Sequence, residues 1–238
     1  MIGRVSTVLM AYTHDERELT VSELSRRTGI PKASTSRIAA ELVEHGLLER
    51  DGAQLRLGIR LFELGQQASR STDLRRAAFP TMSELMKATG QTVHLAVREG
   101  HEVVYVQILR SRLTPPLPSR VGGRLPAHAT GVGKALLAYA DSAVLDELFE
   151  IELERIGPRT IVDPARLQRE LTAIRENRLA YEVEESAANV ACAAAPILDS
   201  QGSAIAAISV SVHLTLTDVT KMGPAVSTAA RALSRQLG

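Results

Sequence analysis

Along the first sixty positions the apolar residues recur at helical spacing and then switch to alternation. Val5, Val8, Leu9 and Tyr12 predict a first helix. A second begins at a capping box, in which Thr20 can accept from the N–H of Glu23 while Glu23 reaches back to Thr20, with Leu24 on its buried side. Thr28-Gly29-Ile30 reads as a tight turn, and Pro31 suits a first helical position, where its missing N–H costs nothing. Ile38 and Leu42 hold the inner side of this third helix, which runs down to Gly46, a natural left-handed stop. Leu47–Arg50 and Gln54–Leu57 flank Asp51-Gly52-Ala53 and predict two short strands around a turn. Two short helices joined by a Gly-containing turn form a helix-turn-helix pattern, and the ribbon after them makes it a winged module over residues 1–58. A surface helical hairpin with a solvated basic face is the alternative for the helix pair taken alone.

Beyond this module the texture changes twice. Residues 59–70 read as a helix with Leu61, Leu64 and Ala68 on one side, leading into a polar run, so 59–72 is a linker helix and 73–238 a second domain. Leu74–Thr89 is again helical, with a break or kink expected at Pro80 and an end at Gly90. Thr92–Val97 and Glu102–Leu109 are β-rich runs forming a hairpin, followed by a long loop, 111–123, containing Pro115, Pro116 and Pro118. Helices are expected over 133–139, 142–151 and 164–177, the last introduced by Asp163-Pro164. Ala193–Leu198 and Ser203–Val212 are strands around a turn, and 223–237 closes the chain as a helix. Strand pairs mixed with helices, without regular βαβ alternation, predict an α+β fold on a largely antiparallel sheet.

Composition narrows the partners. The 238 residues carry a net charge near +1, so any charged face must be sought locally. From Ser25 to Ala40 every charged residue is basic, whereas acids dominate on both sides. Tryptophan is absent and other aromatics are few, which disfavours stacking on single strands and leaves duplex DNA as the better fit. Lys32, Ser34, Ser36 and Arg37 are expected to face the major groove, with Arg26, Arg27 and Arg56 positioning the module on phosphates. The single cysteine excludes an internal disulfide and a multi-thiolate zinc site, which fits a cytoplasmic protein. No signal peptide and no apolar stretch long enough to cross a membrane is found.

The candidate chemistry lies in the second half. His128-Ala129-Thr130-Gly131-Val132-Gly133-Lys134-Ala135 is similar to a phosphate loop, but His128 stands where the first Gly belongs and Ala135 where a Mg²⁺-binding hydroxyl is needed. What remains is either a helix start that favours an anion or a turn that needs Gly for backbone reasons. Cys192 enters an apolar strand, where cysteine is ordinarily a small hydrophobe. No histidine or aspartate partner for a nucleophile is visible in sequence, and His94, His101 and His128 show no metal-ligand spacing and read as structural or exposed. Ser209 and Ser211 share one strand face, which is either solvated or a pocket floor. No catalytic residue, metal ligand or cofactor is assigned.

The order of segments resembles the IclR family of bacterial transcriptional regulators. The resemblance is carried by Ile30-Pro31-Lys32 to Arg37, Leu57-Gly58 to Leu64-Gly65 and Thr89-Gly90-Gln91-Thr92-Val93. It continues through Leu125 to Ala135, Cys192-Ala193-Ala194-Ala195-Pro196-Ile197 and Ala206 to Ser211. It implies a winged helix-turn-helix followed by a GAF-like effector-binding and oligomerisation domain, a homodimer or homotetramer, a palindromic double-stranded operator and a small organic acid effector. By motif, the effector contacts would be Gly131, Val132, Glu182, Val190, Cys192, Ser209 and Ser211, with Leu117 of the proline-rich loop beside them. The chain departs from the family where Asn189 replaces a common Gly and where Ser211-Val212-His213 replaces Ser-Gly-Pro. The small side chains Ala187, Ala188, Ala191 and Ala193 lead us to expect a pocket wider than a two- or three-carbon acid needs. The rival readings are an enzyme using Cys192 on a small acid and an oligomerisation protein without a ligand.

Overall fold

The computed structural model describes residues 1–13, 16–67, 69–114 and 117–238, with the backbone alone for 69–71. Ala68, Pro115 and Pro116, named above, lie outside the described residues. The chain forms two compact units, Met1–Thr72 and Asp73–Gly238.

In the first unit, α1 (Ile2–Met10), α2 (Val21–Thr28) and α3 (Lys32–Glu44) surround a core of Val8, Leu19, Leu24, Ile38, Leu42, Leu48 and Leu55. The capping box of α2 is present. Thr20 Oγ1 accepts from the Glu23 N–H at 3.2 Å, and Glu23 Oε2 accepts from the Thr20 N–H at 2.7 Å. Gly29 ends α2 at φ +68°, the left-handed region where a side chain would be strained. Pro31 is the N-cap of α3, one residue before the position expected of it. The ribbon β2 (Leu48–Asp51) and β3 (Gln54–Leu57) is joined by an unpredicted β1 (Glu18–Thr20), giving an antiparallel sheet in the order β1-β3-β2. Only Leu19 of β1 is fully buried, so its two neighbours carry no apolar alternation to read. Next comes α4 (Ile59–Gln67), which buries none of its residues and leaves Ile59, Phe62 and Leu64 uncovered.

The second unit is built on a six-stranded antiparallel sheet, ordered β6-β5-β4-β9-β8-β7. Its strands are β4 (Thr92–Glu99), β5 (Glu102–Leu109), β6 (Arg124–Pro126), β7 (Ala180–Val183), β8 (Val190–Leu198) and β9 (Ala204–His213). One face packs on α5 (Ser69–Thr89) and α9 (Gly223–Leu237) through Met82, Leu85, Leu95, Ile197, Ile208, Val226 and Leu233. α5 continues through Pro80 without the expected break. The other face meets α6 (Gly131–Leu137), α7 (Ser142–Glu150) and α8 (Pro164–Asn177), with Val132, Leu136, Leu148, Leu167 and Leu171 between the layers. Side chains alternate along the regularly paired part of β8 and β9, so Ala191, Ala193, Val210 and Val212 face α5 and α9 while Cys192 and Ala194 face the α6 layer. The fold is α+β with a winged helix-turn-helix unit and an antiparallel-sheet unit.

Candidate effector pocket and DNA-binding face

On α3, burial of Thr35, Ile38, Ala39 and Leu42 turns Lys32, Ser36 and Arg37 to solvent on one side, with Ser34 half-buried beside them. Arg26 is exposed at the end of α2. Arg27 is employed differently. Its Nη1 donates to the Ala11 carbonyl at 3.2 Å and its Nη2 pairs with Glu16 at 2.5 Å, so it ties α2 to the segment after α1. Arg56 is exposed on the ribbon, with its Nε 2.9 Å from Glu49 Oε2.

In the second unit, sheet register collects the polar candidates. Glu182, Cys192 and Ser211 lie opposite one another across β7, β8 and β9, and Ser209 lies opposite His94 of β4. These residues, with Leu117, Gly131, Val132 and Val190, wall one small cavity. All eight positions implied by the resemblance therefore share a single pocket. Further wall residues that the sequence did not single out for this site include His94, Tyr105, Ser119 and Thr130. His94 Nε2 lies 2.9 Å from Ser119 Oγ and its Nδ1 3.4 Å from Ser211 Oγ. Its ring tilts against Tyr105, with 5.3 Å between centroids. Tyr105 shares this face with Val103 by ordinary strand alternation, and a bulge in the β4–β5 pairing at Leu95/Ala96 follows it.

The start of α6 is pressed onto β8. A methyl group on Gly131 would lie 2.3 Å from Cys192 Sγ, so this position takes only Gly. The Gly131 N–H is directed at the Cys192 sulfur, and Thr130 Oγ1 caps α6 by accepting from the Gly133 N–H at 3.0 Å. Gly133 is needed for space as well, because a Cβ there would meet the Ala127 carbonyl oxygen at 2.1 Å. The Val132 N–H is left with no hydrogen-bond partner among the described residues. Two residues on, Lys134 is wholly buried, donating to Glu170, to Glu185 Oε1 at 2.6 Å and to the Tyr181 carbonyl at 3.0 Å. Burial pulls its ammonium down, but the Glu185 and Glu170 carboxylates outweigh this and hold it above the usual range.

Protonation in the pocket is governed mainly by burial. It drives the Glu182 carboxyl up to about 7, against the N–H groups of Ser186 and Glu185, which Glu182 Oε1 accepts at 2.9 and 2.6 Å. Burial, and then the Arg110 guanidinium, drive the His94 imidazole down to about 3, so it is neutral at physiological pH. Burial, and then Glu182, push the Cys192 thiol upward, away from the thiolate that a nucleophile requires. Cys192 is a wall.

Two expectations need correction. Ala191 and Ala193 point to the opposite side of the sheet, and neither Ala187 nor Ala188 lines the cavity, so these small side chains do not widen it. His94, read as structural or exposed, is 3% exposed and forms part of the pocket wall. The departure at Asn189 has a backbone reason. Its φ is +60°, where Gly is easiest and Asn is among the best-tolerated alternatives.

A family model described as the bacterial transcriptional regulator IclR C-terminal domain matches residues 66–235, and one for the IclR helix-turn-helix domain matches residues 2–52. The chain belongs to the IclR family. Its IclR relatives include the HTH-type transcriptional regulators XynR and KdgR of Escherichia coli. XynR is 31% identical, covering 100% of this chain and 96% of that protein, and KdgR is 32% identical, covering 94% and 88%. An IclR homologue from Microbacterium hydrocarbonoxydans, solved with 4-hydroxybenzoate, superposes with a TM-score of 0.92 at 32% identity over 99% of this chain and 98% of that one. The family and these relatives are transcriptional regulators and not enzymes, so the Cys192 enzyme reading is set aside. Among the described residues no helix is long and apolar enough to cross a membrane, and no group of three or more metal-ligating side chains occurs.

Proposed function

We propose that this protein is a cytoplasmic transcriptional regulator that binds a palindromic operator as a homodimer or homotetramer and is controlled by a small organic acid. The observation that carries the effector assignment is the convergence of Leu117, Gly131, Val132, Glu182, Val190, Cys192, Ser209 and Ser211 on one cavity. The Val132 N–H and the hydroxyls of Ser209 and Ser211 are the donors that would hold the acid, and 4-hydroxybenzoate is the first compound to try, since a relative binds it. In the first unit, Lys32, Ser36 and Arg37 read the major groove, Ser34 sits at the edge of that face, and Arg26 and Arg56 contact phosphates. Arg27 acts by fixing α2. The uncovered apolar residues of α4 support pairing of two copies, which places two such helices on one operator. Two copies on one operator double the phosphate contacts and so strengthen binding.

Selection of genomic fragments bound by the protein yields the operator, and gel shifts on that fragment then test the face. Lys32→Ala and Arg37→Ala are each expected to weaken binding by about 5- to 150-fold, the loss of roughly 1–3 kcal/mol that a specific base contact supplies. Unchanged affinity in both variants would reject the assignment.

A further inference from the structure

Among the described residues no wall of this pocket is Lys or Arg, and Glu182 is the wall residue whose charge changes near neutral pH. Behind the walls, Lys134 is already held by Glu170 and Glu185, and the Arg110 guanidinium donates to the Ser119 carbonyl at 2.5 Å. We infer that the effector enters together with a proton, which Glu182 takes up and holds while the acid anion occupies the cavity. The inference rests on the acid-effector reading above.

The groups facing Glu182 can be named element by element. From α6 comes Lys134, whose charge favours the carboxylate, and from the loop after β7 comes Glu185, which opposes it. From β8 comes the Cys192 thiol, from β5 the Tyr105 phenol, both kept protonated by burial, and from β4 the neutral His94. Glu182 is 1% exposed, and its Oε1 is already occupied by two backbone N–H groups. A second negative charge in the same water-poor space repels the ionised form strongly and leaves the protonated form untouched. Glu182 poised near neutrality in the empty pocket is therefore driven protonated when the anion arrives. The neutral carboxyl also gains an O–H that can donate to the acid. Selectivity follows from the same chemistry: monoanions are accepted at the cost of one proton, and dianions are disfavoured because the pocket has only one proton to offer.

The full-length protein is titrated calorimetrically with 4-hydroxybenzoate, pyruvate and glyoxylate in phosphate, HEPES and Tris, buffers of different ionisation enthalpy. For whichever acid binds, the dependence of the heat on the buffer is expected to give uptake of about 0.5–1 proton per acid between pH 7 and 8, and affinity should fall by about tenfold per pH unit above that range. Glu182→Gln, neutral at every pH and checked for folding by thermal denaturation, is expected to bind with an affinity independent of pH. Should that variant not fold, the buffer dependence of the wild type decides alone. Binding without proton uptake overturns this inference and leaves the effector reading standing. Binding by none of the three acids overturns the effector reading for this class of acid and takes the inference with it.

Discussion

Gly131 approaches β8 so closely that any Cβ would overlap Cys192 Sγ, and that single contact fixes both the entry of α6 and the shape of the cavity. Gly131→Ala is expected to destabilise the protein by about 1–3 kcal/mol, the usual cost of overpacking a tight interior. Cys192→Ala removes the obstructing sulfur, so combining the two should recover at least about 1 kcal/mol relative to the sum of the single changes, a coupling expected of residues in contact. Urea denaturation of the four proteins measures the cycle, and additive effects would show that the close approach carries no energy. At this scale the sequence was informative where a residue type has few uses. The glycine that opens a helix, Gly131, two same-face serines and one cysteine in a strand all proved to wall the pocket. His94 and Tyr105 were not legible. A histidine in an apolar run looks like any core residue, and Tyr105 lies in a strand with apolar residues on both faces, so its sequence does not say which face carries a pocket.

Among the elements, α6 is the least able to form alone, having only seven residues, and tertiary ties hold it in place. The strongest is Lys134, whose buried ammonium joins α6 to Glu170 of α8 and to Glu185 after β7. Lys134→Met keeps the volume and removes the charge, leaving buried carboxylates uncompensated, and should cost about 3–5 kcal/mol. Adding Glu185→Gln should restore part of that loss, because Glu185 Oε2 already lacks a hydrogen-bond partner and gains most from losing its charge. Thermal unfolding of both variants checks this, and no recovery in the double variant would assign the loss to packing. The long elements were readable: α8 and α9 begin and end where Asp163-Pro164 and the apolar spacing of 223–237 place them. The short strands β1, β6 and β7 were not, because three or four residues cannot display a period and their pairing is decided by neighbours distant in the chain. β8 was read three residues short, since Val190-Ala191-Cys192 is buried on both faces and shows no polar alternation.

For the whole molecule, pH acts on the second unit through two buried groups that pull in opposite directions. The Glu182 carboxyl is raised to about 7, so the folded state holds a proton that the unfolded chain releases near the ordinary carboxylate value. Its penalty is absent at low pH, grows as pH rises from about 4.5, and levels off above about 7. His94 is lowered to about 3, so the unfolded chain binds a proton below about 6.5 that the folded state refuses. Its penalty is absent above that pH and grows as pH falls toward 3. Between pH 5 and 7 one slope rises while the other falls, each amounting to on the order of 2 kcal/mol, and they nearly cancel. His128, lowered chiefly by burial, acts in the same direction as His94, and Glu185, raised chiefly by burial, in the same direction as Glu182. The wild-type unit is thus expected to show a flat stability profile across this window. Glu182→Gln should tilt it so that stability increases with pH, and His94→Asn should tilt it the other way. Urea midpoints of the three proteins at pH 5, 6 and 7 read these slopes directly, and parallel profiles would mean that neither group titrates differently in the folded and unfolded chains. The first unit offers an internal control. Its lowered acids, Glu23 and Glu49, change charge below this window and Tyr12, raised to about 12 by burial, above it, so an unfolding transition belonging to residues 1–72 should stay fixed while that of 73–238 moves.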